Sequence, residues 1–486
     1  MVQQPTTRSQ PARDQPTSPA PQISTLGELR ASGHQHRTVK AELRHNLLQR
    51  MRAGEDAFPG IIGFGQTVLP HLERAIIAGH DVILLGERGQ GKTRLIRTLT
   101  GLLDEWTPAV AGCEINDHPY APVCARCQRL AAEQGDSLPV TWLARADRYG
   151  EKLATPDTSV GDLIGDIDPV KVAEGRTLGD PETIHFGLLP RTNRGIFCLN
   201  ELPDLAERIQ VSLLNVLEER DIGVRGYALR LPLDLVLVAS ANPEDYTNRG
   251  RIITPLKDRF GAEIRTHYPI TLEAELDLID QEAQLAWDGA DPGAVVPAHL
   301  IQVIARFTRL VRASPAVDSR SGVSARFAIA AAEAVAASAV RRAAITGEDQ
   351  PVARVCDLPA IVSTLRGKVE FEVSEEGREQ EVLEHLLRRA TSDTFRALLG
   401  SADLTGLLAR FADNGVVETG DLVPAADLLR RIGEVPGLAR VMDRLRMDGS
   451  ESLGQAAAAL EFAMEGLYLM RRLSKDTIDG GAIYRT

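Results

Sequence analysis

A parallel-sheet α/β domain followed by a helical second half is the fold class this sequence predicts, and three observations carry the prediction. A glycine loop, Gly86-Glu87-Arg88-Gly89-Gln90-Gly91-Lys92-Thr93, lies between the apolar run Val82-Ile83-Leu84-Leu85 and the helical pattern Leu95-Ile96-Arg97-Thr98-Leu99. Two more short apolar runs, Gly195-Ile196-Phe197-Cys198-Leu199 and Leu235-Val236-Leu237-Val238-Ala239-Ser240, read as strands of a sheet covered on both faces. Alanine-rich stretches in the second half, such as residues 328–337, favour helix.

The elements follow in order. Residues 1–38 are rich in Gln, Pro, Thr, Ser and Arg and have almost no apolar periodicity, which predicts a disordered tail. An amphipathic stretch begins at Val39, and a helix over 69–77 precedes the first strand. Between the second and third strands, residues 205–219 read as a helix and residues 222–231 as a hairpin turning at Arg225-Gly226. The α/β domain is expected to span 39–270. Helical patterns then cover 272–287, 298–313, 324–345 and 381–390, giving a helical domain at 271–390 and a further helical region at 391–486. No internal repeat is visible.

Composition narrows the function. The chain has 486 residues, 25% of them charged and 43% hydrophobic, as in ordinary globular proteins. No apolar run approaches the roughly 20 residues that cross a bilayer, and the N-terminus has no apolar signal-peptide core, so a cytoplasmic protein is expected. Five cysteines in this length do not suggest a disulfide framework. The formal net charge of −12 disfavours a broad nucleic-acid surface and favours protein partners.

The glycine loop fits GxxxxGK[ST]. Its glycines let consecutive N–H groups turn inward toward phosphate oxygens, and the following helix adds its positive end. Lys92 is then placed for the β/γ-phosphates and Thr93 for Mg²⁺. Hydrolysis also needs the metal supported and a water activated. Asn200-Glu201 at the end of the second strand supplies the candidates, with Glu201 as base. Many phosphate-loop ATPases have Asp where this chain has Asn200, so metal support here comes without a negative charge. Asn242, after the third strand, is placed to orient the water; the plainer alternative is a loop Asn before Pro243. Arg259 lies beyond the sheet, where it could reach a neighbouring subunit's nucleotide or pair with Asp258. Cys113, His118, Cys124 and Cys127 form a single Cys-x-x-Cys knuckle with two further candidate ligands. They suit a structural Zn²⁺ site, reduced loop cysteines or a redox pair.

Several stretches together resemble the AAA+ ATPases of the magnesium-chelatase I-subunit and MoxR-like group: 154–157, 161–168, 173–176, 186–190 and 193–196, then Leu214 to Arg225 and Asn242-Pro243-Glu244. The similarity covers about residues 55–270. It implies an insert at 154–194 that projects toward a central pore, a hairpin ahead of Asn242, an arginine finger at Arg259 and a lid arginine at Arg326, with Arg320 the weaker candidate. It further implies ATP with Mg²⁺, a homo-oligomeric ring, a hexamer by resemblance, and a separate partner carrying a von Willebrand A domain. The function implied is a remodelling motor in metal-cofactor insertion or complex assembly. Two other readings stand beside it. A nucleotide-gated switch follows if Asn200 slows turnover, and a nucleic-acid-associated motor is opposed by the net charge and by the lack of a Gly-Ala-Phe-Thr-Gly-Ala loop.

Overall fold

A computed structural model of the chain describes residues 16–174, 183–219, 222–224, 227–229, 231–243, 251–286, 293–318, 321–412, 415–447, 452–478 and 480–486. The chain divides into two compact units at His267/Tyr268, three residues before the expected boundary.

The N-terminal unit holds eleven strands among its described residues: β1 (Val82–Leu85), β2 (Trp106–Val110), β3 (Val140–Ala144), β4 (Tyr149–Leu153), β5 (Gly165–Ile167), β6 (Ile184–Phe186), β7 (Gly195–Asn200), β8 (Ile222–Val224), β9 (Tyr227–Leu229), β10 (Leu235–Ala241) and β11 (Ala262–Arg265). Five of them form one sheet in the order β11-β1-β10-β7-β4. All its pairings are parallel, with Leu85 beside Ala241, Cys198 beside Val238 and Leu153 beside Asn200.

Alternation along the strands assigns the two faces. Val82, Leu84, Ile196, Cys198, Val236 and Val238 pack with the helices Val39–Ala53, Val68–Ala78 and Lys92–Thr98. Ile83, Leu85, Phe197, Leu199, Leu235 and Leu237 pack on the other side with the helix Glu207–Glu219. Because both faces are buried, β1, β7 and β10 carry unbroken apolar runs. The outer strands β4 and β11 mix charge with apolar residues, which is why the sequence did not disclose them. The antiparallel pair β5–β6 lies within the expected insert, and β8–β9 form the expected hairpin. Its turn at Arg225-Gly226 lies outside the described residues.

The disordered tail expected over 1–38 needs correction for its second half; residues 1–15 lie outside the described residues. Thr25 and Glu28 form a reciprocal capping box for a short helix, Leu26–Ala31, whose Leu26 and Leu29 are buried. Ser24 and Leu26 exchange backbone hydrogen bonds with Val140 and Leu138 at 2.8 and 2.9 Å. The indoles of Trp106 and Trp142 donate to the carbonyls of Ser18 and Ile23. A segment poor in apolar residues is thus ordered by adding itself to the edge of the β2–β3 hairpin.

The C-terminal unit is chiefly helical, with Leu272–Glu282, Ala298–Arg312, Ala325–Thr346, Glu379–Leu399 and Leu453–Leu469 as its longer helices. Two features depart from the sequence reading. The helix Glu379–Leu399 crosses the expected 390/391 boundary, and one hydrophobic core runs from Ile279 to Tyr484. Residues 271–390 and 391–486 therefore share one core. The second feature is an antiparallel sheet, β12 (Val417–Gly420), β14 (Gly481–Arg485) and β13 (Ser474–Ile478) in that order, which the helical periodicity of the region did not foretell. Among the described residues no helix is long and apolar enough to cross a membrane.

Candidate nucleotide site

The glycine loop joins the carboxyl end of β1 to the helix Lys92–Thr98, and parallel pairing places β10 directly beside it. Gly86 continues the strand, its N–H donating to the Ala241 carbonyl at 3.1 Å. A side chain at Gly86 would meet Thr266 Oγ1 at 2.0 Å and Gln90 Oε1 at 2.2 Å, so the residue type is dictated by space. Gly89 and Gly91 take left-handed conformations (φ 71° and 79°), which turn the loop into the helix. Gln90 is pinned from behind by the Thr266 hydroxyl at 2.7 Å. Arg88 and Gly89 are exposed, Glu87 and Thr93 are half-buried, and Thr93 stands on the first helical turn beside Lys92.

Lys92 is buried, and its ammonium donates to the carbonyls of Gly86 and Glu87 and to Asn242 Oδ1 at 2.8 Å. The Asn242 amide in turn donates to Glu201 Oε2 at 2.7 Å. A cation, an amide and a carboxylate thus form one hydrogen-bonded line across the ends of β1, β10 and β7. Glu201 has φ 55°, a left-handed conformation that costs a non-glycine residue about 1–3 kcal/mol and concentrates at functional positions. The line can grip an anion at one end and polarise a water at the other.

Asn200 faces differently from what its place beside Glu201 suggests. Its Oδ1 accepts from the Ser240 hydroxyl at 3.0 Å and its Nδ2 donates to Glu151 Oε1 at 2.8 Å. Burial holds the Cys198 thiol up at about 12, so it stays protonated beside Asn200 Oδ1 at 3.6 Å. Two residues that sequence reasoning passed over therefore shape this corner. Ser240 also accepts from the Glu201 N–H at 3.3 Å, fixing both members of the Asn-Glu pair. Glu151, on the neighbouring β4, brings a carboxylate against Asn200 and ion-pairs with Arg97 at 3.0 Å. The apolar run 235–240 ends in Ser240, whereas nothing local marks Glu151, because its placement depends on the β4–β7 register.

Arg259 is exposed at the end of the helix Thr254–Arg259. Arg326 belongs to the C-terminal unit, exposed on the first turn of Ala325–Thr346, where Ser324 caps its N–H at 3.1 Å. Arg320 lies outside the described residues.

The cysteine reading is corrected in one ligand. Cys113, Cys124 and Cys127 converge, but the fourth group among them is Asp117, with all four ligand atoms within 4.8 Å of one another. His118 turns away: the Tyr120 N–H donates to its Nδ1 at 3.0 Å, and its ring lies against His36 and His34 at 4.1 and 5.7 Å. Burial, followed by the Arg194 guanidinium, pushes its imidazole down to about 2, so it is neutral. Left-handed Asn116 (φ 56°) makes the turn just ahead of Asp117 and His118, both of which are buried.

Comparison with known proteins finds similar sequences around these residues. The model of the sigma-54 interaction domain matches residues 177–259, which include Asn200, Glu201, Asn242 and Arg259. The magnesium-chelatase subunit ChlI of Guillardia theta is 32% identical over 195 residues, covering 38% of this chain and 50% of that one. The magnesium-chelatase 38 kDa subunit of Cereibacter sphaeroides is 31% identical over 231 residues, covering 46% and 62%. The chain thus spans about half to three-fifths of the length of these relatives. Among solved structures, a cryo-EM model of the BchI–BchD complex of magnesium chelatase is similar at 20% identity and TM-score 0.35, over 67% of this chain and 98% of that one. NtrX from Brucella abortus in complex with ADP is similar at 15% identity and TM-score 0.37, over 83% and 72%. With its phosphate loop and its parallel sheet, the chain is similar to AAA+ ATPases of the magnesium-chelatase I-subunit group over part of their length.

Proposed function

We propose that this protein hydrolyses ATP with Mg²⁺ as a ring-forming remodelling motor that drives a partner protein in metal-cofactor insertion or complex assembly. The observation that carries the reading is the line Lys92–Asn242–Glu201, with the Lys92 ammonium and the Glu201 carboxylate at the two ends of the Asn242 amide. In this reading Gly86 to Thr93 wrap the phosphates, and phosphate oxygens take over the Lys92 ammonium from the loop carbonyls. Thr93 supports the Mg²⁺. Asn200, bonded to Glu151, would support it from its side chain, with Glu151 on the neighbouring strand supplying the negative charge that Asp would bring. Glu201 takes the proton of the attacking water, and Asn242 holds that water in line.

Arg259, exposed and outside the Lys92–Asn242–Glu201 line, serves a neighbouring subunit's nucleotide, and Arg326 acts as the lid arginine. Six subunits and a von Willebrand A partner rest on the resemblance to relatives named magnesium-chelatase subunits. The five free cysteines suit a reducing compartment such as the cytoplasm.

Steady-state ATPase rate against protein concentration, for the wild type and for Arg259→Ala, tests the reading. A shared site gives specific activity that rises with concentration and a fall of roughly 10³–10⁵ in kcat for Arg259→Ala with ATP binding kept. Slow turnover, flat with concentration and indifferent to Arg259→Ala, would instead establish the nucleotide-gated switch.

A further inference from the structure

The strongest unassigned cluster is the one formed by Cys113, Asp117, Cys124 and Cys127, and we infer that it is a structural Zn²⁺ site in which Asp117, not His118, completes the three thiolates. The donor atoms already lie within 4.8 Å of one another. In a tetrahedron with Zn–S near 2.3 Å, sulfurs sit about 3.8 Å apart, so the cluster needs only a small contraction to close on a metal.

Asp117 supplies the independent observation. It is 0% exposed, and Oδ2 accepts from the N–H groups of Val123 and Cys124 at 3.0 and 2.9 Å. Its Oδ1 is buried with no hydrogen-bond partner. A carboxylate oxygen in that state costs free energy unless a cation meets it. A disulfide between Cys124 and Cys127 would leave both that oxygen and Cys113 without a role.

The local backbone is that of a metal knuckle. The Cys127 N–H donates to Cys124 Sγ and the Asp117 N–H to Cys113 Sγ, each at 3.3 Å. Left-handed Gly112 (φ 67°) turns the chain just ahead of Cys113. Outside the ligands, the Arg126 guanidinium donates to the Gly112 carbonyl at 2.9 Å, and buried Arg194 donates to the Asn116 carbonyl at 3.3 Å. Three thiolates and a carboxylate around a divalent ion leave negative charge in excess, which these two cations offset.

The donor set selects the ion. Three soft sulfurs and one oxygen at tetrahedral spacing suit Zn²⁺, whereas Mg²⁺ and Ca²⁺ require shells of oxygen. All four positions are filled by protein, which marks a structural site. The metal would join the helix Ala125–Gln134 to the loop after β2. That loop is in turn tied to the approach to β7, since the Asn193 amide donates to the Ile115 carbonyl at 3.0 Å and Asn116 to that of Arg191 at 2.8 Å.

The test measures metal in the full-length chain by mass spectrometry, then by zinc release to a chromogenic chelator after thiol modification. Wild type and His118→Ala are expected to carry one zinc per chain, and Cys124→Ser none. Asp117→Ala is expected to bind zinc more weakly by at least the roughly 10–100-fold that loss of an outer-shell partner costs. Co²⁺ added to the chelated wild-type chain should give thiolate charge-transfer bands and the intense visible bands of a tetrahedral site. This measurement needs no variant and is unaffected if Cys124→Ser fails to fold. The inference is overturned if reduced, zinc-supplemented wild type keeps no metal after desalting, if Cys124→Ser keeps it, or if peptide mapping finds a Cys124–Cys127 disulfide. Zinc lost in His118→Ala but kept in Asp117→Ala would overturn the assignment of the fourth ligand.

Discussion

In the N-terminal unit the buried polar side chains Lys92, Asn200, Ser240 and Asn242 gather at the carboxyl ends of adjacent parallel strands, whereas in the C-terminal unit the buried charges Arg342, Arg354, Asp357 and Glu461 pair with one another among helices. Arg354 reaches Glu461 at 3.6 Å and the carbonyls of Gly420 and Val423 at 3.0 and 2.6 Å, while Arg342 pairs with Asp357 at 3.1 Å and Glu348 at 2.6 Å. In the first unit the chain ends on Glu201, half-buried in a strained conformation, so its charge can meet solvent or substrate. In the second, acids and bases neutralise one another inside the core. Burial of polar groups thus does not by itself mark a site; what separates the two is whether the line of hydrogen bonds has an open end.

The largest effect that would break this comparison is at the open end. Glu201→Gln keeps an acceptor oxygen for the Asn242 amide but loses the carboxylate, so folding and ATP binding should hold while kcat falls by roughly 10²–10⁴. Parallel measurements of nucleotide affinity and single-turnover hydrolysis check it. An unchanged rate would put the base elsewhere and reduce Glu201 to a strand-end acid.

The closed network should answer in the opposite currency. Arg354→Ala leaves Glu461 buried beside a missing cation and should cost about 3–5 kcal/mol in the C-terminal unit, with little change in nucleotide affinity. Arg354→Leu combined with Glu461→Leu removes both charges and should cost less than the single change. Denaturant unfolding followed by a probe in each unit separates the two responses, since a two-unit chain need not melt in one step.

How much of this was legible depended on how local each signal was. The phosphate loop, β1, β7 and β10 were readable because both faces of the sheet are covered and their residues are uniformly apolar. Glu201 and Asn242 followed from their places after those strands. Glu151 was hidden, since β4 reads Tyr-Gly-Glu-Lys-Leu and its carboxylate meets Asn200 only through pairing with β7. Asp117 was hidden behind a more familiar ligand: composition offers His118 for a cysteine knuckle, and only the folded loop shows which of two adjacent residues meets the thiols. The C-terminal boundary was placed at 390, across one core, because Arg354 and Glu461 are far apart in sequence yet pair within it.

The smallest effect sharpens the comparison by pH. His299, in the helix Ala298–Arg312, is 0% exposed, packs on Phe462 at 4.6 Å, and has no hydrogen-bond partner at either ring nitrogen. Burial alone pushes its imidazole down to about 3 from an ordinary 6.5. The folded state therefore keeps it neutral where the unfolded chain would protonate it. Its contribution is fully present above pH 6.5 and is lost as pH falls toward 3, at up to about 1.4 kcal/mol per pH unit. His299→Leu, close in volume and without a proton to gain, should flatten that acid limb of C-terminal unfolding while leaving stability at pH 8 within about 1.5 kcal/mol. An acid limb of unchanged slope in the variant would assign the loss instead to the buried carboxylates of the network, whose pairing with Arg342 and Arg354 also weakens when they are protonated.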